Sequence, residues 1–227
     1  MSGASGARER WIERGEPADE ATWLEERVAA GALPASRVSL AAYAGHPAAA
    51  LAAAALGLTL PRRRAAGRLG ETAAIRQWLL GLGDVCAPED RVAVARRALA
   101  VLLHAMGHDH DPGALDELLG RERPWSLARA VAGWGAQALD ELGDPERVRG
   151  RVRVALAGWA LAPGQTPRPY DPAQRYRVGE ALSHPVHGQG FVRRAGRAAF
   201  ELELPGGRAL RLSHGRLELG RSAQDRR

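Results

Sequence analysis

Histidine and aspartate crowd one short stretch, and metal chemistry is the first thing such a stretch suggests. In LLHAMGHDHDPG, His104 and His108 stand one helical turn apart, followed by Asp109, His110 and Asp111. Neutral imidazoles at that spacing project from one face of a helix and can share a zinc or iron ion. The helical zinc-protease arrangement also needs a glutamate directly after the first histidine as general base, and Ala105 stands there. A plainer account serves the same residues. Imidazoles in the last turn of a helix interact favourably with its dipole, and Asp111 can cap the helix that follows. The sequence therefore assigns no metal and no cofactor, and names His104, His108 and His110 as the residues a metal would use. No nucleotide-binding loop, elbow-type serine or Cys–His pair accompanies them, so the chain reads as non-catalytic.

Arginine is the second residue type with chemistry to offer. All 32 basic side chains are arginine, and alanine makes up about a fifth of the chain. That joint bias weakens the bare count as an argument for nucleic acid; the distribution says more. Residues 1–167 carry 20 arginines against 20 acids, while residues 168–227 carry 12 against 6, which is the whole net charge of +6. Arg193, Arg194 and Arg197 surround Gly196, Arg208 and Arg211 follow in the next hairpin, and His187 lies in the turn before them. Such a patch attracts either an acidic protein surface or a phosphate backbone, and charge alone does not choose.

Strands must position those arginines. Phe200, Leu202 and Leu204 alternate with Glu201 and Glu203, and Leu210 and Leu212 alternate with Arg211 and Ser213. Both runs are half-buried strands with one wet face. A three-residue loop, Gly206 to Arg208, would pair Leu204 with Leu210 and Leu202 with Leu212, and would set Glu203 across from Arg211. ALSH and GFVRRAG read as two further strands joined by PVHGQG. Four or five short strands on so few residues predict a small SH3-like barrel over 176–219.

Val178-Gly179-Glu180, His184-Pro185, His187-Gly188-Gln189-Gly190 and the closing Leu212-Ser213-His214 carry a resemblance. The series resembles the barrel of CarD-type RNA-polymerase-interacting domains, also found in transcription-repair coupling factors, and the Tudor-like tail of UvrD-type helicases. Glu180 stands where those barrels usually have aspartate, and Leu204 where an aromatic is common. The resemblance implies a protein partner, RNA polymerase or a repair factor. Direct nucleic-acid binding through the basic barrel and tail is the alternative, and a metal-dependent enzyme centred on His104 a second one.

Before the barrel, residues 7–161 read as successive helices, a bundle or a short stack of hairpins, so the expected class is α+β. Trp23, Leu24 and Val28 share one face, as do Val38, Leu40, Ala41 and Tyr43. Val92, Ala95, Leu99, Leu102 and Met106 recur at helical steps, as do Val148, Val152, Leu156 and Trp159. DPGALDELLG predicts a short helix, PRRRAAGRLG a basic loop, and Asp144-Pro145 the start of the last helix. The W-L-E and A-A-Y-x-G-H-P-A-A series over 23–49 is similar to helical proteins of GC-rich bacteria and adds only a fold expectation. The proline-rich residues 162–175 predict an extended linker with Tyr170 anchored to a neighbour, the two parts folding independently, and 220–227 a basic disordered tail. Cys86 is the one cysteine, which fits a reducing compartment. No apolar leader opens the chain, and Gly45, His46 and Pro47 break the apolar run at 40–60. The expectation is a cytoplasmic protein without a membrane span.

Overall fold

Methyl side chains set the spacing of the helical part. Ala48, Ala49, Ala52 and Ala53 of one short helix are all buried, which lets neighbouring backbones approach closely while each residue contributes little apolar area. The computed structural model describes residues 3–61, 71–107, 124–196, 198–204 and 209–213. Within them the helices are α1 (Gly3–Arg14), α2 (Pro17–Ala29), α3 (Ala35–Ala44), α4 (Pro47–Ala55), α5 (Glu71–Val85), α6 (Arg91–Ala105), α7 (Pro124–Leu142) and α8 (Pro145–Leu161), with a 3-10 turn at Pro88–Asp90. A five-stranded sheet follows: β1 (Arg168–Pro169), β2 (Ala181–His184), β3 (Gly188–Ala195), β4 (Ala199–Glu203) and β5 (Ala209–Ser213). The class is α+β.

Caps fix the helix ends. Asp144 accepts from the amides of Glu146 and Arg147, and Pro145 opens α8 where no donor is needed. Gly45, at φ 102°, ends α3 in the left-handed region, and His46 then caps α4 by accepting the Ala49 amide on Nδ1. The predicted stripes face the core, Val28, Met106 and Trp159 half-buried against it, with one exception. Val92 is 48% exposed, and α6 instead buries Val94, Ala95, Ala98, Leu99, Leu102 and Leu103. The 3-10 turn accounts for the difference: α6 starts only at Arg91, so Val92 sits in a first turn outside the packed face. No helix among the described residues is long and apolar enough to cross a membrane. The expected helix at DPGALDELLG, the basic loop at 61–70 beyond Pro61, and the tail lie outside the described residues.

The sheet runs β1-β2-β3-β4-β5, parallel between β1 and β2 and antiparallel thereafter. Among the described residues β1 pairs only with β2 and β5 only with β4, so the ladder is open. Its core is Tyr176, Leu182, Val192, Phe200 and Leu202. The β4–β5 register differs from the expected one by two residues: Leu202 faces Leu210, Phe200 faces Leu212 and Glu201, not Glu203, faces Arg211. A two-residue slip keeps every side chain on its own face, so burial of leucines alone could not separate the two registers. Glu203, expected on the wet face, is 3% exposed and meets Arg97 of α6 in an ion pair.

Residues 162–175 do not hang free. Arg27 stacks on Trp23 and donates to the carbonyls of Leu161, at 2.7 Å, and Pro163, closing the end of α8. Gln165 donates to Leu161 and Gly179 and accepts from the Ala181 amide. Tyr170 stacks on His184 and Tyr176, an anchor of the expected kind. Helices and sheet also meet directly. Gly158 of α8 lies against the backbone of Val192 and Arg193, where the absent side chain permits the approach. Glu180, fully buried, accepts from Arg168 and from the Arg177 amide, both at 2.6 Å.

Candidate functional site

A β-bulge decides where the strand arginines point. Val192 faces Leu202 and Arg194 faces Glu201, so β3 carries one residue more than β4 across that step, and Arg193 is the extra one. In a regular strand Arg193 and Arg194 would project to opposite faces; the bulge brings both to Glu201. Arg193 Nε lies 2.8 Å from Glu201 Oε2, and Arg194 Nη1 lies 3.9 Å from Oε1. Arg193 is 29% exposed at its side chain and Arg194 69%, so the first is held and the second reaches into solvent.

Opposite them stands α8. Its residues Gly158, Ala155, Arg151 and Arg147 follow one another at three- and four-residue steps and share a face. Gly158 touches β3, and toward the N-terminus the same face borders a cleft. Arg147, Gly150, Arg151, Val154 and Ala155 line the cleft from this side. Ala100 and Val101 of α6 form its floor, one turn beyond the point where Arg97 grips Glu203, and Arg193, Arg194 and Glu201 complete it. The volume is about 760 Å³. Among the described residues four arginines and one carboxylate thus line a cleft whose other side chains are aliphatic. Among the described residues neither Arg147 nor Arg151 has an ion-pair partner, whereas Arg149, turned away from the cleft, pairs with Glu146. A second cavity of about 310 Å³ adjoins the first, lined by Arg194, Gly196, Ala198, Ala199, Phe200, Glu201 and Arg211. Arg194 and Glu201 belong to both.

The expected residues are therefore distributed unevenly. Arg193 and Arg194 line the cleft and both pair with Glu201, whereas the expected register set Glu203 across from Arg211. Arg211 faces Glu201 across the strands and lines the smaller cavity. His187 lies apart, in the β2–β3 turn, its ring 4.6 Å from that of His184, which accepts the Val186 and His187 amides. Burial and the neighbouring His187 hold His184 below the usual imidazole range. Arg197 and Arg208 lie outside the described residues. So do His108, His110 and the side chain of His104, the penultimate residue of α6. Among the described residues no three His, Cys, Asp or Glu side chains gather to hold a metal.

Arg147 and Arg151 were not singled out from the sequence. A signal was present. Arginines alternate at 147, 149, 151 and 153, and on a helix that pattern stacks 147 over 151, a like-charge pair that costs the helix stability. Comparison with protein-family models, with curated proteins and with solved structures returned no match. The reading of the site rests on its geometry.

Proposed function

We propose that this chain is a non-catalytic binding protein whose cationic cleft captures an acidic segment of a partner protein. The observation that carries the reading is the pairing of four arginines, Arg147 and Arg151 on α8 with Arg193 and Arg194 on β3, with an aliphatic lining of Ala100, Val101, Val154 and Ala155. Carboxylates answer the guanidinium groups in charge-assisted hydrogen bonds, and an aliphatic side chain between them covers the floor. A phosphate backbone would satisfy the arginines but leave that floor wet.

The sheet is read as a small SH3-like barrel. Tyr170, directly after β1, reaches the Ser213 carbonyl at the end of β5 with its hydroxyl, at 3.4 Å, which brings the first edge toward the last. With the resemblance to CarD-type and UvrD-type barrels, this makes RNA polymerase or a repair factor the proposed partner.

Direct nucleic-acid binding is the second reading, favoured by the charge excess of residues 168–227. Salt dependence distinguishes the two. Binding of an acidic segment should weaken moderately with salt, because few ions are released. A protein neutralising six phosphates loses affinity by roughly 10³ between 50 and 200 mM salt. Purification of the tagged chain with its partners, with and without nuclease, is the companion test. A polymerase or repair subunit retained after nuclease supports the first reading, and recovery abolished by nuclease supports the second.

A further inference from the structure

Among the described residues Glu201 is the one carboxylate in the lining of both cavities, and Arg194 is the one arginine they share. The two cavities therefore meet along a single wall of the sheet. From α8 across β3 to β5, Arg147, Arg151, Arg193, Arg194 and Arg211 make a cationic track, interrupted among the described residues by Glu201. Both oxygens of that carboxylate are engaged, one by Arg193 at 2.8 Å and the other by Arg194 at 3.9 Å, and Arg211 faces it from the next strand.

The two contacts differ in kind. Arg193 is held short and half-covered, while Arg194 is long and mostly in water. An incoming carboxylate can take Arg194 without first breaking the Arg193 pair, and can then compete for the rest. The bulge explains why such competition is feasible. The bulge in the backbone of β3 sets Arg193 on the Glu201 side, so the residue stays on that wall when the ion pair opens.

We propose that the two cavities form one track for an extended acidic segment, and that Glu201 is a built-in stand-in for the segment's carboxylate, displaced when the partner binds. The inference rests on the acidic-segment reading above and adds its regulation. Glu201 lowers the affinity for every acidic ligand and restricts binding to segments with enough charge to displace it. Sequences with one isolated acidic residue are rejected; those with several, spaced by an aliphatic residue, are accepted.

The test uses the full chain and a fluorescein-labelled peptide of repeating Glu-Glu-Leu units, measured by anisotropy. Glu201→Gln and Glu201→Ala are compared with the parent chain, each after its melting temperature has been recorded. Both variants should bind about two- to five-fold tighter, the range expected when a competing partly exposed ion pair is removed. Equal or weaker binding by variants that melt like the parent overturns the proposal and makes Glu201 a support for Arg193. A parent chain that ignores the peptide but binds duplex DNA defeats the acidic-segment reading instead. Glu201 is then tested on the duplex, where tightening in either variant supports its stand-in role and no tightening overturns it.

Discussion

Nε2 of His46 lies 3.6 Å from Oε1 of Glu20, in the packed wall between α4 and α2. Because Nδ1 accepts the Ala49 amide, the imidazole proton sits on Nε2 and faces the carboxyl group. Burial, helped by Arg153, holds His46 down to about 4. Burial also pushes Glu20 up to about 8, with Glu180 adding to the rise and Arg177 and Arg27 opposing it. A neutral imidazole and a neutral carboxyl are the result at pH 7.

The first prediction is a stability plateau with two shoulders. Between about pH 4 and 6.5 the unfolded chain holds a proton on His46 that the folded chain does not, so this group makes stability rise with pH. Between about pH 4.5 and 8 the folded chain holds a proton on Glu20 that the unfolded chain has lost, so this group makes stability fall with pH. The two slopes cancel where they overlap. Above pH 6.5 only the Glu20 slope remains, about 1.4 kcal/mol per pH unit until it levels near 8. Denaturant melts across that range check this, and Glu20→Gln should abolish the alkaline decline.

The second prediction concerns the walls of the cleft. Arg147→Glu with Arg151→Glu on the helix side, and Arg193→Glu with Arg194→Glu on the sheet side, should each weaken partner binding at least about ten-fold. Surface substitutions shift stability by about 0.5 kcal/mol or less, with a little more at Arg193 for its ion pair. Calorimetry of both double variants against the purified partner provides the check. Loss from the sheet pair alone would show that α8 does not contribute to the site.

The third prediction concerns docking. A Cβ at Gly158 would stand 2.8 Å from the Val192 carbonyl oxygen and 3.0 Å from the Arg193 Cα, backbone atoms that cannot turn aside. Gly158→Ala should cost about 1–3 kcal/mol, as overpacking does. Residues 1–162 alone should melt below the full chain, because Arg97 loses Glu203 and Gly158 loses its cover. Equal melting temperatures would mean that the interface contributes nothing to the helical part, the independence suggested by the proline-rich stretch.

The fourth prediction returns to the histidines. Native mass spectrometry should find no stoichiometric zinc, iron or manganese, and a chelator should leave the melting temperature unchanged. One ion per chain, lost in His104→Ala, would replace the binding role with a metal-dependent one.

Local signals were legible in the sequence and tertiary ones were not. Asp144-Pro145 announces the start of α8, and the alternation through Phe200 and Leu202 announces β4 and the face it buries, because each is a property of a few neighbouring residues. The partner of Glu203 depends on Arg97, some hundred residues away in the chain, and nothing near Glu203 distinguishes it from Glu201. The bulge at Arg193 was equally hidden, since it adds a residue without demanding a glycine. Arg147 and Arg151 became part of the site only once Gly158 fixed α8 against β3. His46 was visible as a break before Pro47 but not as a cap or as the neighbour of Glu20.

The two walls of the cleft belong to different layers, and Gly158 is the bearing on which they meet. A ligand that joins Arg151 to Arg194 therefore works as a brace across that bearing. Any force that separates helix from sheet must also release the ligand, so occupancy and docking draw on one free energy. By linkage, ligand at a hundred times its Kd would hold the layers together by about 2.7 kcal/mol. Mechanical load or partial unfolding at the sheet would then act as a release mechanism without any change in the arginines themselves.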